Sequence, residues 1–142
     1  MGSPYKAGCP CGAIQLELSG EPGVQVYCHC NSCRTWLGAP IHGATLWPTT
    51  NVKVTKGADN LGTFKRTEAS HRQFCRSCGA AVMVGHPAIG MTDVPSVSIA
   101  GLAFKPTLHV HYGEKVLPVR DGLPKFKDFP KEFGGSGEMV PE

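Results

Sequence analysis

Seven cysteines in 142 residues constrain this chain more than any other feature, because they fall into three tight groups. Cys9 and Cys11 are spaced C-x-C, Cys28, Cys30 and Cys33 are spaced C-x-C-x-x-C, and Cys75 and Cys78 are spaced C-x-x-C. An odd number of cysteines leaves a full disulfide framework incomplete. The opening "MGSPYKAGCP" lacks the apolar stretch of a signal peptide, and Lys6 stands where a myristoylation signal needs Ser or Thr. No run approaches the roughly 18 apolar residues of a membrane span. The expected location is therefore cytoplasmic, with no membrane partner. In that compartment thiols stay reduced and clustered cysteines point to metal or catalysis.

The rest of the chain reads as short strands joined by turns. Eighteen glycines and 12 prolines are too many for a helical protein of this length. "AIQLELSG" alternates, with Ile14, Leu16 and Leu18 on one face. "VQVYCHC" follows across "GEPG", and the two predict a hairpin that delivers the three-cysteine group to a strand end. Further strands are expected around Val52 and Val54 and over "NLGTFKRT", "SHRQFC", "AAVMVG", "SVSIAG" and "TLHVHYG". The last puts His109 and His111 on a polar face. No long segment holds a helical period, and a short turn of helix near Pro95 or around 31–37 is at best a weak candidate. From Pro118 the chain reads as an extended arm that Leu123, Phe126, Phe129 and Phe133 would latch down. The fold class expected is mainly β: a single domain over 1–133, arm included, built from short antiparallel strands and hairpins and stabilised by zinc. A disordered tail is expected over 134–142.

Spacing divides the cysteines. In "FCRSCGAAV" a C-x-x-C turn closed by Gly79 can present two sulfurs to one ion, and "GCPCGAI" offers a second pair followed by Gly12. Two such pairs complete a tetrahedral four-sulfur zinc site, so Cys9, Cys11, Cys75 and Cys78 are the expected structural ligands. The alternative, buried unliganded thiols or disulfides, fits two glycine-closed pairs poorly. Cys28, Cys30 and Cys33 remain. Three thiolates leave one position of a tetrahedral ion for water or substrate, as catalytic zinc requires. They could instead be closed by a histidine, with His29, His109 and His111 as candidates, or bind no metal.

These same residues carry a family resemblance. "GCPCGAIQLELSG", "CHCNSCR" followed by Gly38, "FCRSCG", and the ending "HVHYGEKVLPVRDGLPKF" occur in the order seen in the glutathione-dependent formaldehyde-activating enzymes, a family that includes centromere-protein-V-like proteins. The sequence resembles that family over about residues 5–130. The resemblance implies a β-tent-like zinc fold with two zinc ions. Cys9, Cys11, Cys75 and Cys78 would hold the structural ion; Cys28, Cys30 and Cys33 would hold the catalytic one. It also implies joining of glutathione to formaldehyde as S-hydroxymethylglutathione, formally a carbon–sulfur lyase running in reverse. The chain departs from the family where a Trp often occurs near 113–117, reading "GEKVL" instead, and "KEFGGSGEMVPE" lies outside the resemblance.

Glutathione carries two carboxylates, and Arg34, directly after Cys33, is the cation best placed for one of them. Trp36 and His42 are candidate pocket residues. A non-catalytic module that binds a thiol metabolite or a protein is the competing class. Nucleic-acid binding ranks below both. A formal charge of +3 is cancelled if all seven cysteines bind two zinc ions as thiolates. The most basic aromatic stretch, "KFKDFPKEF", is diluted by Asp128 and Glu132. The expected partners are a small thiol and a small aldehyde, and a homo-oligomer is compatible with the sequence.

Overall fold

A computed structural model describes residues 2–142 and is mainly β. In chain order its elements are β1 (Tyr5–Gly8), β2 (Gln15–Leu18), β3 (Val24–Cys28), α1 (Asn31–Leu37), β4 (His42–Pro48), β5 (Val52–Lys56), β6 (Leu61–Thr67), β7 (Ser70–Cys75), β8 (Ala81–His86), β9 (Met91–Pro95), β10 (Ile99–Ala100) and β11 (His109–Val110). Short 3-10 turns join several of them. The chain divides into two compact units.

The first unit takes the chain up to Val24 together with Thr45–Ala103. A four-stranded sheet in the order β10-β1-β2-β5 is antiparallel throughout, with Ala7 opposite Leu16 and Leu16 opposite Val54. A meander of β6, β7, β8 and β9 continues from the Thr45–Pro48 end of β4, which lies beside β9. The core of this unit gathers Ile14, Leu16, Leu18, Trp47, Cys75, Val82, Val94 and Ile99. Trp47 is fully enclosed, and its indole N–H donates to Thr45 Oγ1 at 2.9 Å, so no buried donor is wasted. Alternation in β2 places Leu16 and Leu18 inward as expected.

β2 does not form the expected hairpin with β3; it pairs with β1 and β5. The "YKAG" segment, too short and mixed to stand out as a strand, takes the partner position that β3 was expected to fill. "SVSIAG" likewise yields only the two residues of β10, because Ser96–Ser98 form a 3-10 turn first.

The second unit takes Gln25–Ala44 and Phe104–Glu142. Here β11 runs parallel to β3, with His109 opposite Tyr27 and Val110 opposite Cys28. Both sides of β11 are covered: Val110 and Tyr112 are buried as expected, and His109, expected on a polar face, is also 0% exposed. The arm folds back on β11: Phe126 N–H donates to His109 C=O at 3.0 Å, and His111 N–H to Asp128 C=O at 2.8 Å. Its latch is not the expected aromatic row, since Phe129 and Phe133 are exposed. Lys125 and Pro130 are the buried residues instead. Residues 134–142, expected to lack structure, return along the arm. Lys127 N–H donates to Glu138 C=O at 2.8 Å, and Val140 N–H to Lys125 C=O at 3.0 Å.

Candidate metal centres

The first unit brings Cys9, Cys11, Cys75 and Cys78 together, with all four sulfurs within 4.8 Å of one another. Local geometry explains why. β1 ends at Gly8, and the chain turns over Cys9–Gly12, where Gly12 adopts φ 78° and its N–H donates to Cys9 C=O at 3.1 Å. β7 ends at Cys75, and a matching turn closes at Gly79 (φ 78°), whose N–H donates to Cys75 C=O at 2.8 Å. Each turn aims two sulfurs at one point.

The sulfur separations fit a tetrahedral ion. Cys9 and Cys11 Sγ lie 3.6 Å apart and Cys11 and Cys75 Sγ 3.7 Å apart. Metal–sulfur bonds of about 2.3 Å in a tetrahedron give edges of roughly 3.8 Å. A disulfide needs about 2.05 Å, so these are free thiols held at metal-binding spacing. N–H donors face the sulfurs: Ile14 donates to Cys9 at 3.3 Å, Cys78 to Cys75 at 3.5 Å, and the Asn60 amide to Cys75 at 3.5 Å. Backbone N–H groups hold the thiols of Cys75 and Cys78 below their ordinary range. Cys11 also accepts from the backbone, yet the neighbouring sulfurs outweigh this and push its thiol up to about 11. Such a group gathers anionic sulfur and needs a cation to hold all four as thiolates. Asn60 is a participant that sequence spacing does not reveal.

The second unit brings Cys28, Cys30 and Cys33 within the same limit of 4.8 Å. Cys28 is the last residue of β3. Cys30 is the N-cap of α1, with extended backbone (φ −64°, ψ 146°), and its sulfur accepts the Cys33 N–H at 3.2 Å. α1 is therefore formed by the cap and by its Gly38 terminus (φ 63°), not by an apolar stripe, since none of its residues is buried. Cys28 is buried, while Cys30 and Cys33 are half-exposed, so the group opens on one side. Hydrogen bonding from Cys28 and Cys33 pulls the Cys30 thiol down to about 2, while Cys30, Cys33 and burial drive the Cys28 thiol far up. One negative charge is accommodated and further ionisation is opposed. A soft divalent cation relieves that opposition, so this donor set fits a thiolate-bound metal as well.

Among the described residues no imidazole nitrogen joins the three-sulfur group. His29 instead points into the unit, 0% exposed, with its Nε2 2.8 Å from His109 Nδ1. His109 Nε2 lies 2.8 Å from Asp121 Oδ2. The two rings stack, and Tyr112 meets both edge-on. A carboxylate at one end fixes the hydrogen-bond direction through both imidazoles. His111, the one non-glycine residue with positive φ among those described, pairs through Nδ1 with Glu114 at 3.1 Å. Glu114 also accepts the Asn31 N–H at 3.0 Å and so holds the start of α1. Of the expected substrate contacts, Arg34 is tied by its Nε to the His29 C=O at 2.9 Å, one residue from both Cys28 and Cys30. Trp36 is half-buried on the same helix, and His42 is buried at the start of β4, outside the sulfur group.

Fold and sites together define a class: a mainly β protein with a four-cysteine centre in one unit and a three-cysteine centre, open on one side, in the other. The chain belongs to the glutathione-dependent formaldehyde-activating enzyme family, whose model matches residues 4–114. It is 28% identical over 78 residues to a Schizosaccharomyces pombe protein named as an uncharacterized lyase. That match covers 55% of each chain, so the chain spans about half the length of the curated relative it matches. A crystal structure of a Rhodobacter sphaeroides protein superposes with a TM-score of 0.57 at 25% identity, covering 68% of this chain and 89% of that one. No helix of the described residues is long and apolar enough to cross a membrane.

Proposed function

We propose that this protein is a zinc-dependent carbon–sulfur lyase that forms or cleaves S-hydroxymethylglutathione, or a similar adduct of a small thiol and a small aldehyde. The observation that carries the reading is the three-sulfur group, half-exposed and without a histidine among the described residues to close it. Family membership and the lyase name of the yeast relative support it. In this reading Cys9, Cys11, Cys75 and Cys78 hold a structural zinc, and Cys28, Cys30 and Cys33 hold the second. When bound at the three-sulfur site, zinc supplies a position at which a substrate thiol stays ionised at neutral pH. Three thiolates oppose strong Lewis acidity, which favours thiol capture over carbonyl polarisation.

The chain's own residues orient the reactants. Arg34, with its Nε committed to His29, keeps its terminal nitrogens for a substrate carboxylate. Asp121 and His109 lock His29, which stiffens the strand end between Cys28 and Cys30. The balance of the reaction is simple. A sulfur–carbon bond forms as the carbonyl π bond breaks, and the proton lost from the thiol ends on the new hydroxyl, with no change of oxidation state. Thiols add to formaldehyde unaided, so the acceleration required is modest and positioning can provide it.

The test is magnetisation-exchange NMR of glutathione with formaldehyde. The intact protein is expected to accelerate exchange and Cys30→Ser to abolish the acceleration. No acceleration by the intact, zinc-loaded protein overturns the lyase reading and leaves a thiol-binding module.

A further inference from the structure

Cys30 is bracketed by two contacts from one short segment. The N–H of His29, the residue before it, donates to Val110 C=O at 3.1 Å, and the N–H of Asn31, the residue after it, donates to Glu114 Oε1 at 3.0 Å. His29 and Asn31 are two residues apart and so at most about 7 Å. An extended run from Val110 to Glu114 would cover roughly 13 Å, nearly twice that span. The segment meets both residues by turning back. His111 adopts left-handed backbone (φ 52°, ψ 32°), a 3-10 turn follows over Tyr112–Glu114, and Glu114 N–H donates to His111 C=O at 3.0 Å. A left-handed residue that carries a Cβ persists only where its surroundings hold it there.

The arm provides that hold. His111 N–H donates to Asp128 C=O at 2.8 Å, Tyr112 N–H to Phe126 C=O at 2.9 Å, and Gly113 N–H to Lys127 C=O at 3.3 Å. The His111 ring lies edge-on to Phe129 with centroids 4.5 Å apart, and its Nδ1 meets Glu114 Oε2 at 3.1 Å, while the other carboxylate oxygen takes Asn31. The helix at the far end of this contact needs it. α1 has seven residues, none of them buried, and so short a helix is not stable alone. Asn31 is its first residue, whose N–H has no partner within the helix. Cys33 follows in the same turn, and its N–H is the one that Cys30 Sγ accepts at 3.2 Å. Fraying of this turn therefore displaces the Cys30 and Cys33 sulfurs together. Cys28 is fixed separately, by the pairing of β3 with β11 opposite Val110.

We propose that Glu114, presented by the left-handed turn at His111, is a positioning residue that keeps Cys30 and Cys33 in register with Cys28 and so sets how tightly the three-sulfur centre holds its ion. The proposal rests on the zinc reading of that centre and not on the reaction. The test follows zinc loss from the full, zinc-loaded chain by native mass spectrometry against increasing EDTA at neutral pH. Glu114→Ala is expected to weaken the first-lost ion about tenfold, the lower end of what the outer partners of metal ligands contribute, and to leave the second ion unchanged. Glu114→Gln keeps an oxygen for the Asn31 N–H and an amide for His111 Nδ1, and is expected to lie nearer the native chain than Glu114→Ala does. Hydrogen exchange at the Cys33 amide is expected to quicken in Glu114→Ala and to be restored in Glu114→Gln. Unchanged affinity in Glu114→Ala, an equal loss in both variants, unchanged exchange at Cys33, or loss of both ions together overturns the positioning role and leaves the zinc reading standing. A native chain that takes up no ion at Cys28, Cys30 and Cys33 refutes the zinc reading and the proposal with it.

Discussion

His29 shows how much a single buried side chain can commit. Burial, then the nearby charge of His109, lowers its basicity from the ordinary 6.5 to about 4. The folded protein therefore binds this proton more weakly than the unfolded chain does. Above pH 6.5 both forms are neutral and the contribution is fully present; as pH falls towards 4 the unfolded chain takes the proton and stability is lost, on the order of 3 kcal/mol in total. Urea unfolding between pH 6.5 and 4 is expected to show the native chain losing its advantage over His29→Gln; a constant difference would mean that His29 titrates ordinarily. Asp121 acts in a lower window. Burial works to raise its carboxyl, but the hydrogen bonds from Lys125 and His109 prevail and hold it well below the usual 3.8, so its contribution is lost only as pH falls beneath that value. At this scale the sequence was legible where chemistry is local. Cys9 with Cys11, Cys75 with Cys78, and the trio at 28–33 declare themselves by spacing, because one tight turn sets where the sulfurs of each group point. Asp121, Lys125 and His109 did not, because their partners come from distant segments and alternation cannot tell that both faces of β11 are covered.

Elements were legible when their own pattern sufficed. β2 alternates and is half-buried as read, and β6, β7 and β8 fall where β-rich runs are bounded by turns. What failed was partnership. Nothing in "AIQLELSG" says that its neighbour is the four-residue β1, and nothing periodic in seven-residue α1 announces a helix whose hold comes from the Cys30 cap and Gly38. Two glycines separate conformational cost from steric cost. Gly38 ends α1 at φ 63° with open space around its missing Cβ, so Gly38→Ala is expected to cost about 1 kcal/mol, the left-handed penalty alone. Gly57 precedes the turn into β6 at φ 82°, and a Cβ there would lie 2.1 Å from the Ala13 carbonyl oxygen, which belongs to the backbone of the β1–β2 turn and cannot swing aside. Gly57→Ala is expected to cost at least about twice as much, from strain and displacement together. Denaturant midpoints of the two variants decide this, and equal losses would show that the Ala13 segment yields.

Each compact unit carries one cysteine group that could hold a metal ion, and with zinc bound as proposed the two are expected to fail differently. The four-sulfur centre joins Cys11 to Cys75 across 64 positions of chain. By analogy with a covalent crosslink, closing a loop of that length removes about 4 kcal/mol of unfolded-state entropy, much of a small domain's stability. Its ligands also terminate strands that carry the first unit's core, and Cys75 is itself part of that core. The three-sulfur centre spans six residues at the junction of β3 and α1, closes no long loop, and offers one donor fewer. A chelator is therefore expected to remove the ion at Cys28, Cys30 and Cys33 first, and the ion at Cys9, Cys11, Cys75 and Cys78 only as the first unit unfolds. The two tryptophans make the order observable, because Trp47 is enclosed in the first unit and Trp36 lies on α1 in the second. In Trp36→Phe, Trp47 is the sole indole. Native mass spectrometry is expected to show two ions falling to one while Trp47 emission stays blue, with the red shift arriving together with loss of the second. Cys75→Ser should start from the red-shifted state, and Cys30→Ser should lose one ion with Trp47 undisturbed. Simultaneous loss of both ions, or a red shift in Cys30→Ser, would mean that the three-cysteine centre holds the fold together as much as the four-cysteine centre does, and the case for reserving it for substrate would fall with it.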